Sequence, residues 1–86
     1  MTLQQTFEQA VANSKTLAEK PDNETLLKLY SLYKQATQGD CTDADAPANP
    51  FDFVAKFKFA AWEKLKGISS NDAMQQYIDL VNQLKG

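Results

Sequence analysis

A chain of 86 residues makes one small domain, which buries only about 60–65% of the surface its unfolded form exposes and leaves little room for a deep, enclosed active site. Its nine cationic side chains are all lysine and are outweighed by eleven carboxylates, for a net charge of −2; with no arginine and no basic excess, nucleic acid is a poor partner. Histidine is absent, which removes the usual general base and the commonest metal ligand together, and the lone Cys41 can close no internal disulfide.

The first twenty residues hold no apolar run of signal-peptide or membrane-span length, so a cytoplasmic, reducing location is expected. Four segments carry a helical apolar period. The first, 3–18, places Leu3, Phe7, Ala10, Val11, Ser14 and Leu17 on one stripe and ends before Pro21. The second, 23–38, is capped by Asp22 or Asn23, carries Leu26, Leu27, Leu29, Tyr30, Leu32, Tyr33 and Ala36, and stops at Gly39.

Residues 40–50 are acidic, proline-bearing and aperiodic, which marks a loop; the run lacks the glycine and terminal glutamate of a calcium-binding loop, so no metal site is expected. The third helix is expected over 51–66, with Phe51, Val54, Phe57, Ala61, Trp62 and Leu65 inward, and ends at Gly67. Ser69 caps the fourth, with Asp72 placed for a capping box, and the helix runs through Tyr77 to Leu84, where Lys85 suits the negative end of its dipole. One all-α four-helix bundle is the economical outcome.

Two lysines depart from the amphipathic rule. With Val54 set at zero and a turn of about 100° per residue, the apolar residues of the third segment span roughly −60° to +80°, and Lys58 falls near +40°. On the second segment, with Tyr30 at zero, Leu27 lies near +60° and Lys34 near +40°. A desolvated ammonium is costly unless an anion compensates it, and neither arc contains a carboxylate. Two readings stay open on periodicity alone. The stems snorkel and carry their heads to water, or Lys34 and Lys58 face a groove that receives an external anion beside Tyr30 and Tyr33.

Further residues carry a resemblance. The block from Tyr30 to Asp40, the block Lys56–Phe57–Lys58–Phe59–Ala60–Ala61–Trp62 followed by Leu65 to Ser69, and Asp72 to Ile78 together resemble the acyl-CoA-binding protein family over nearly the whole chain. The resemblance implies one acyl-CoA-binding domain over 1–86, an up-down-down-up four-helix bundle with one acyl-CoA in a surface groove, and a protein without catalytic activity, metal or cofactor. It implies that Tyr33 stacks on the adenine, that Lys34, Lys58 and the Tyr30 hydroxyl hold the 3′-phosphate, and that Tyr77 lines the ligand's path. Lys15, Lys20 and Lys56 match peripheral basic positions, and Ala10, Leu26 and Leu27 match the acyl-chain groove. The chain departs from the family in a longer loop after Gly39, in Val54 where many members carry lysine, and in Phe59 where tryptophan is usual. The expected role is binding, transport and pool buffering of medium- to long-chain acyl-CoA by a monomer whose membrane or enzyme contacts are at most transient. A helical module that accepts a partner peptide is the rival.

Overall fold

Helices start where a short polar side chain can take up free backbone N–H groups. The computed structural model, which describes residues 2–85, has four of them among those residues, with no strand: α1 (Leu3–Ser14), α2 (Asn23–Gln38), α3 (Phe53–Glu63) and α4 (Ser70–Lys85). Thr2 caps α1 in a reciprocal box with Gln5, and Asp22 caps α2 by accepting from the Thr25 N–H at 2.8 Å. Asp52 caps α3 through the Ala55 N–H at 3.1 Å, and Ser69 Oγ accepts from the Asp72 N–H at 3.1 Å ahead of α4.

The second and fourth helices run as their caps dictate. α1 ends four residues before the expected 18, because Ser14 Oγ donates back to the Val11 carbonyl and Thr16 Oγ1 to that of Asn13, which draws the last turn into i→i−3 bonds. α3 is shorter than 51–66 at both ends. Its start follows an Asn49 side chain that accepts from the Phe51 N–H, and its end tightens through Leu65 N–H to the Trp62 carbonyl at 2.9 Å before Gly67 turns with φ 91°. The 40–50 loop contains one 3-10 turn, Asp43–Asp45.

Phe7 and Ala10 from α1, Leu29, Leu32 and Ala36 from α2, and Ala73, Met74, Tyr77, Ile78 and Val81 from α4 form one contiguous core. Each large side chain buried there contributes about 1.5–3 kcal/mol. α4 packs on both α1 and α2, whereas α3 lies against α2. The backbone measures 39 × 28 × 16 Å. α3 packs mainly on α2, and its other side is left uncovered.

That side corrects the sequence expectation for α3. Phe51, Val54 and Phe57 were expected inward, yet they are 79%, 63% and 63% exposed. Trp62, at 3% exposure, and the half-buried Ala61 and Leu65 face inward as expected, joined by the half-buried Ala55, Lys58 and Phe59. On the wheel used above, these six lie between about −20° and +140°, a buried face centred near Trp62 and not near Val54. α3 is apolar on two sides, and its contact with α2 selects the one carrying the indole.

Candidate functional site

The middle of α2 and α3 face each other across a cleft of about 380 Å³, lined from the helices by Tyr30, Lys34, Val54, Ala55, Lys58, Phe59 and Trp62. The Lys58 ammonium stands 5.1 Å from the Tyr30 ring centre, and that of Lys34 stands 6.0 Å from the same ring and 5.4 Å from the Trp62 ring. Each such contact contributes about 0.5–1 kcal/mol at a partly exposed site. An aromatic face positions an ammonium without neutralising it, so both charges stay available. The two lysines flagged by the wheel therefore meet over one tyrosine, where α2 and α3 face each other.

The helices supply no carboxylate to this cleft, but the preceding loop supplies two, Asp45 and Asp52, with Pro47 between them. Both are engaged as caps. Asp45 Oδ2 accepts from the Thr42 N–H at 2.8 Å and hydroxyl at 3.1 Å, and Asp52 Oδ1 takes the Ala55 N–H. Periodicity in the helices could not reveal them, because they arrive from an aperiodic segment.

A second opening of about 320 Å³ adjoins the first and shares Val54 and Lys58 with it. Its other lining residues are Asn23, Leu26, Leu27 and Phe57, so it is almost wholly apolar. Leu26 and Leu27 were expected in such a groove; Val54 and Phe57 were expected in the core and line it instead. Ala10 does not reach it, and is a 5% exposed member of the core.

Tyr33 lies outside both openings. It is 41% exposed, and its ring rests on Phe7 at 6.1 Å and 25°. Behind Phe7 stands Tyr77, edge-on at 5.2 Å and 73°. Tyr77 was expected along the ligand's path, but it is only 4% exposed and its hydroxyl donates to Ser14 Oγ at 3.1 Å. Burial raises its phenol above the ordinary value of 10.0, the Ser14 bond opposes this, and the nearby Tyr33 adds to it. It thus belongs to the core that backs Tyr33. Lys15 and Lys20 are exposed around the α1–α2 connection, and Lys56 is exposed with its ammonium 5.9 Å from the Phe53 ring; none of the three lines the cleft.

A polar clasp holds the cleft's far end. Gln35, fully buried, donates through Nε2 to Asp40 Oδ1 at 2.7 Å and to the Ile68 carbonyl at 2.8 Å. The Gly67 N–H reaches the same Asp40 oxygen at 2.9 Å, and Trp62 Nε1 donates to the Gly39 carbonyl at 2.9 Å. The Gly67 N–H, then the Gln35 amide, hold the Asp40 carboxyl below the usual carboxylate value, aided weakly by Lys66 and opposed by slight desolvation. Gln35 Oε1 is buried without a partner, a cost accepted where the amide ties two segments. Among the described residues, no group of three or more Cys, Asp or Glu could hold a metal, and no helix is long and apolar enough to cross a membrane.

A four-helix domain with a cationic, aromatic cleft opening into an apolar groove has the form of a small-ligand-binding bundle, and comparison with known proteins narrows the class. The family model described as "Acyl CoA binding protein" matches residues 4–81. The chain is 46% identical over 84 residues to acyl-CoA-binding protein homolog 1 of Caenorhabditis elegans, covering 98% of this chain and 93% of that one. It is 47% identical over 81 residues to enoyl-CoA delta isomerase 2 of Rattus norvegicus, covering 94% of this chain but 20% of the relative. The crystal structure of acyl-CoA-binding protein 2 of Oryza sativa superposes with a TM-score of 0.88 at 41% identity, covering 96% of this chain and 90% of that chain. This chain belongs to the acyl-CoA-binding protein family.

Proposed function

We propose that this protein binds medium- to long-chain acyl-CoA esters as a cytoplasmic monomer and carries them without transforming them. The observation behind this reading is the pair of ammonium groups over Tyr30, 5.1 and 6.0 Å from its ring, at the point where the cleft meets the apolar groove. An amphipathic anion fits such a junction. Its 3′-phosphate is held by Lys34, Lys58 and the Tyr30 hydroxyl, its adenine stacks on the outward face of Tyr33, and its acyl chain follows Leu26 and Leu27 past Val54 and Phe57. Tyr77 contributes from behind, by holding Phe7 beneath Tyr33. Ala10 acts through the same core, and Lys15, Lys20 and Lys56 attract the ligand from a distance.

Each methylene buried in the groove adds about 0.8 kcal/mol, so affinity rises with chain length until the groove is filled. About four-fifths of the isomerase relative lies outside the match, and its named activity therefore lends no support to catalysis by this segment. Isothermal titration with coenzyme A and its 3′-dephospho form tests the phosphate assignment. The wild type is expected to favour the phosphorylated ligand, and Lys58→Ala to lose about 1.5–3 kcal/mol of that preference. An unchanged ratio between the two ligands sinks the assignment.

A further inference from the structure

The outer wall of the apolar groove continues into a surface that ligand binding does not use. Phe51 and Phe53 are 79% and 63% exposed, line neither opening, and adjoin Val54 and Phe57, themselves 63% exposed. Phe51, just before α3, and Phe53, Val54 and Phe57 in its first turns are thus all exposed. A small acidic protein has a solubility reason to keep such residues apart.

The charge around this patch differs from that of the rest of the chain. Residues 51–66 carry Lys56, Lys58, Lys64 and Lys66 against Asp52 and Glu63, a local excess of cations within a molecule of net charge −2. Lys64 falls within the angular range of Phe53 and Phe57 on the helix, near −80° when they lie at about −100° and −60°. Lys56 flanks the same stripe with its ammonium 5.9 Å from the Phe53 ring. The nearest loop carboxylates, Asp45 and Asp52, line the cleft and are held as caps. A basic helix with exposed aromatic residues is the chemistry of a segment that lies in a membrane interface, with rings at the headgroup boundary and lysines on anionic phosphates.

We infer that the start of α3 docks this protein on anionic lipid bilayers, inserting Phe51, Phe53, Val54 and Phe57 while Lys56 and Lys64 contact the headgroups. Val54 and Phe57 belong to both the inserted patch and the groove, so docking sets the groove's mouth against the acyl layer. A long-chain ligand can then pass between bilayer and protein without exposing its tail to water. Docking itself requires no bound acyl-CoA and stands apart from the ligand assignment.

The test is sedimentation of the full chain with vesicles of phosphatidylcholine alone and of an equal mixture with phosphatidylserine, with acyl-CoA titration of the same samples. The wild type is expected to sediment with mixed vesicles, and the double variant Phe51→Ser/Phe53→Ser to partition at least about tenfold more weakly, with unchanged circular dichroism and acyl-CoA affinity. Lys64→Glu and added salt are expected to weaken binding to the mixed vesicles and to change little with phosphatidylcholine alone. A wild type that stays in solution, a double variant that sediments like it, or a lipid-free dimer that the double variant abolishes would each overturn the inference. Loss of acyl-CoA binding by the wild type would fall on the function proposed above and leave this result standing.

Discussion

The three-helix core and the outboard helix α3 are held in different ways. α1, α2 and α4 meet through side chains that are nearly all apolar, with Phe7, Ala73 and Val81 at 2%, 0% and 0% exposure. α3 contributes no member to that cluster. It is fastened by Trp62, by the indole bond to the Gly39 carbonyl, and by the clasp of Gln35, Asp40 and Gly67 just beyond its end. The core buys fold stability, and the looser attachment of α3 leaves both a cleft beneath it and an apolar face above it. A ligand site between two helices requires that they not be fully packed.

Several substitutions would break or sharpen that contrast. The largest effect is expected for Trp62→Ala, which removes the one large buried side chain of α3 and should cost about 3–5 kcal/mol in urea unfolding followed by circular dichroism. Phe53→Ala, on the same helix but exposed, should stay within about 0.5 kcal/mol of wild type. If the two variants lose similar stability, α3 is not held as described. Next, Tyr33→Ala should weaken acyl-CoA binding by about 1–3 kcal/mol in calorimetry while the melting curve moves little. Equal affinity for both proteins would remove the stacking role.

A smaller change is expected for Tyr77→Phe, which deletes the bond to Ser14 and keeps the ring against Phe7. Stability should fall by about 1 kcal/mol, and ligand affinity should hold; a large loss of affinity would place the hydroxyl at the ligand. The smallest concerns acid. Because the Gly67 N–H and the Gln35 amide hold the folded-state carboxyl of Asp40 below its ordinary value of 3.8, its contribution is present above that pH and is lost as the pH falls through the lowered value. Asp40→Asn should therefore flatten the loss of stability measured below about pH 4, and an acid limb identical to wild type would show that the clasp does not depend on the charge.

The parts of this molecule that were legible in its sequence are those fixed by neighbouring residues. α2 runs over 23–38 as expected, because Asp22 and Gly39 act locally on the backbone at its two ends. Lys34 and Lys58 stood out because a charge among apolar neighbours violates periodicity, and the structure brings them to one ring. The family blocks carried the rest of the ligand assignment. Trp62, Ala61 and Leu65 of the third segment face inward as expected, but Val54 and Phe57 do not, because they and Phe59 lie on opposite flanks of Trp62 and a wheel centred on Val54 favours the wrong flank. Which side is covered depends on how α3 lies on α2, and no local rule contains that. The clasp was invisible for a similar reason, since Gln35 and Gly67 meet Asp40 from different segments, one of them 27 residues away.

Trp62 gives the protein a built-in optical probe. It is the chain's single tryptophan, shielded from solvent at 3% exposure, with the Lys34 ammonium 5.4 Å above its ring. A cation at that distance shifts the energy of the indole's excited state through its field, so on the proposed binding mode a phosphate that cancels the charge is expected to alter the colour and yield of emission. Site occupancy can be followed in unlabelled protein, in mixtures too crowded or turbid for heat measurements, by watching one ring.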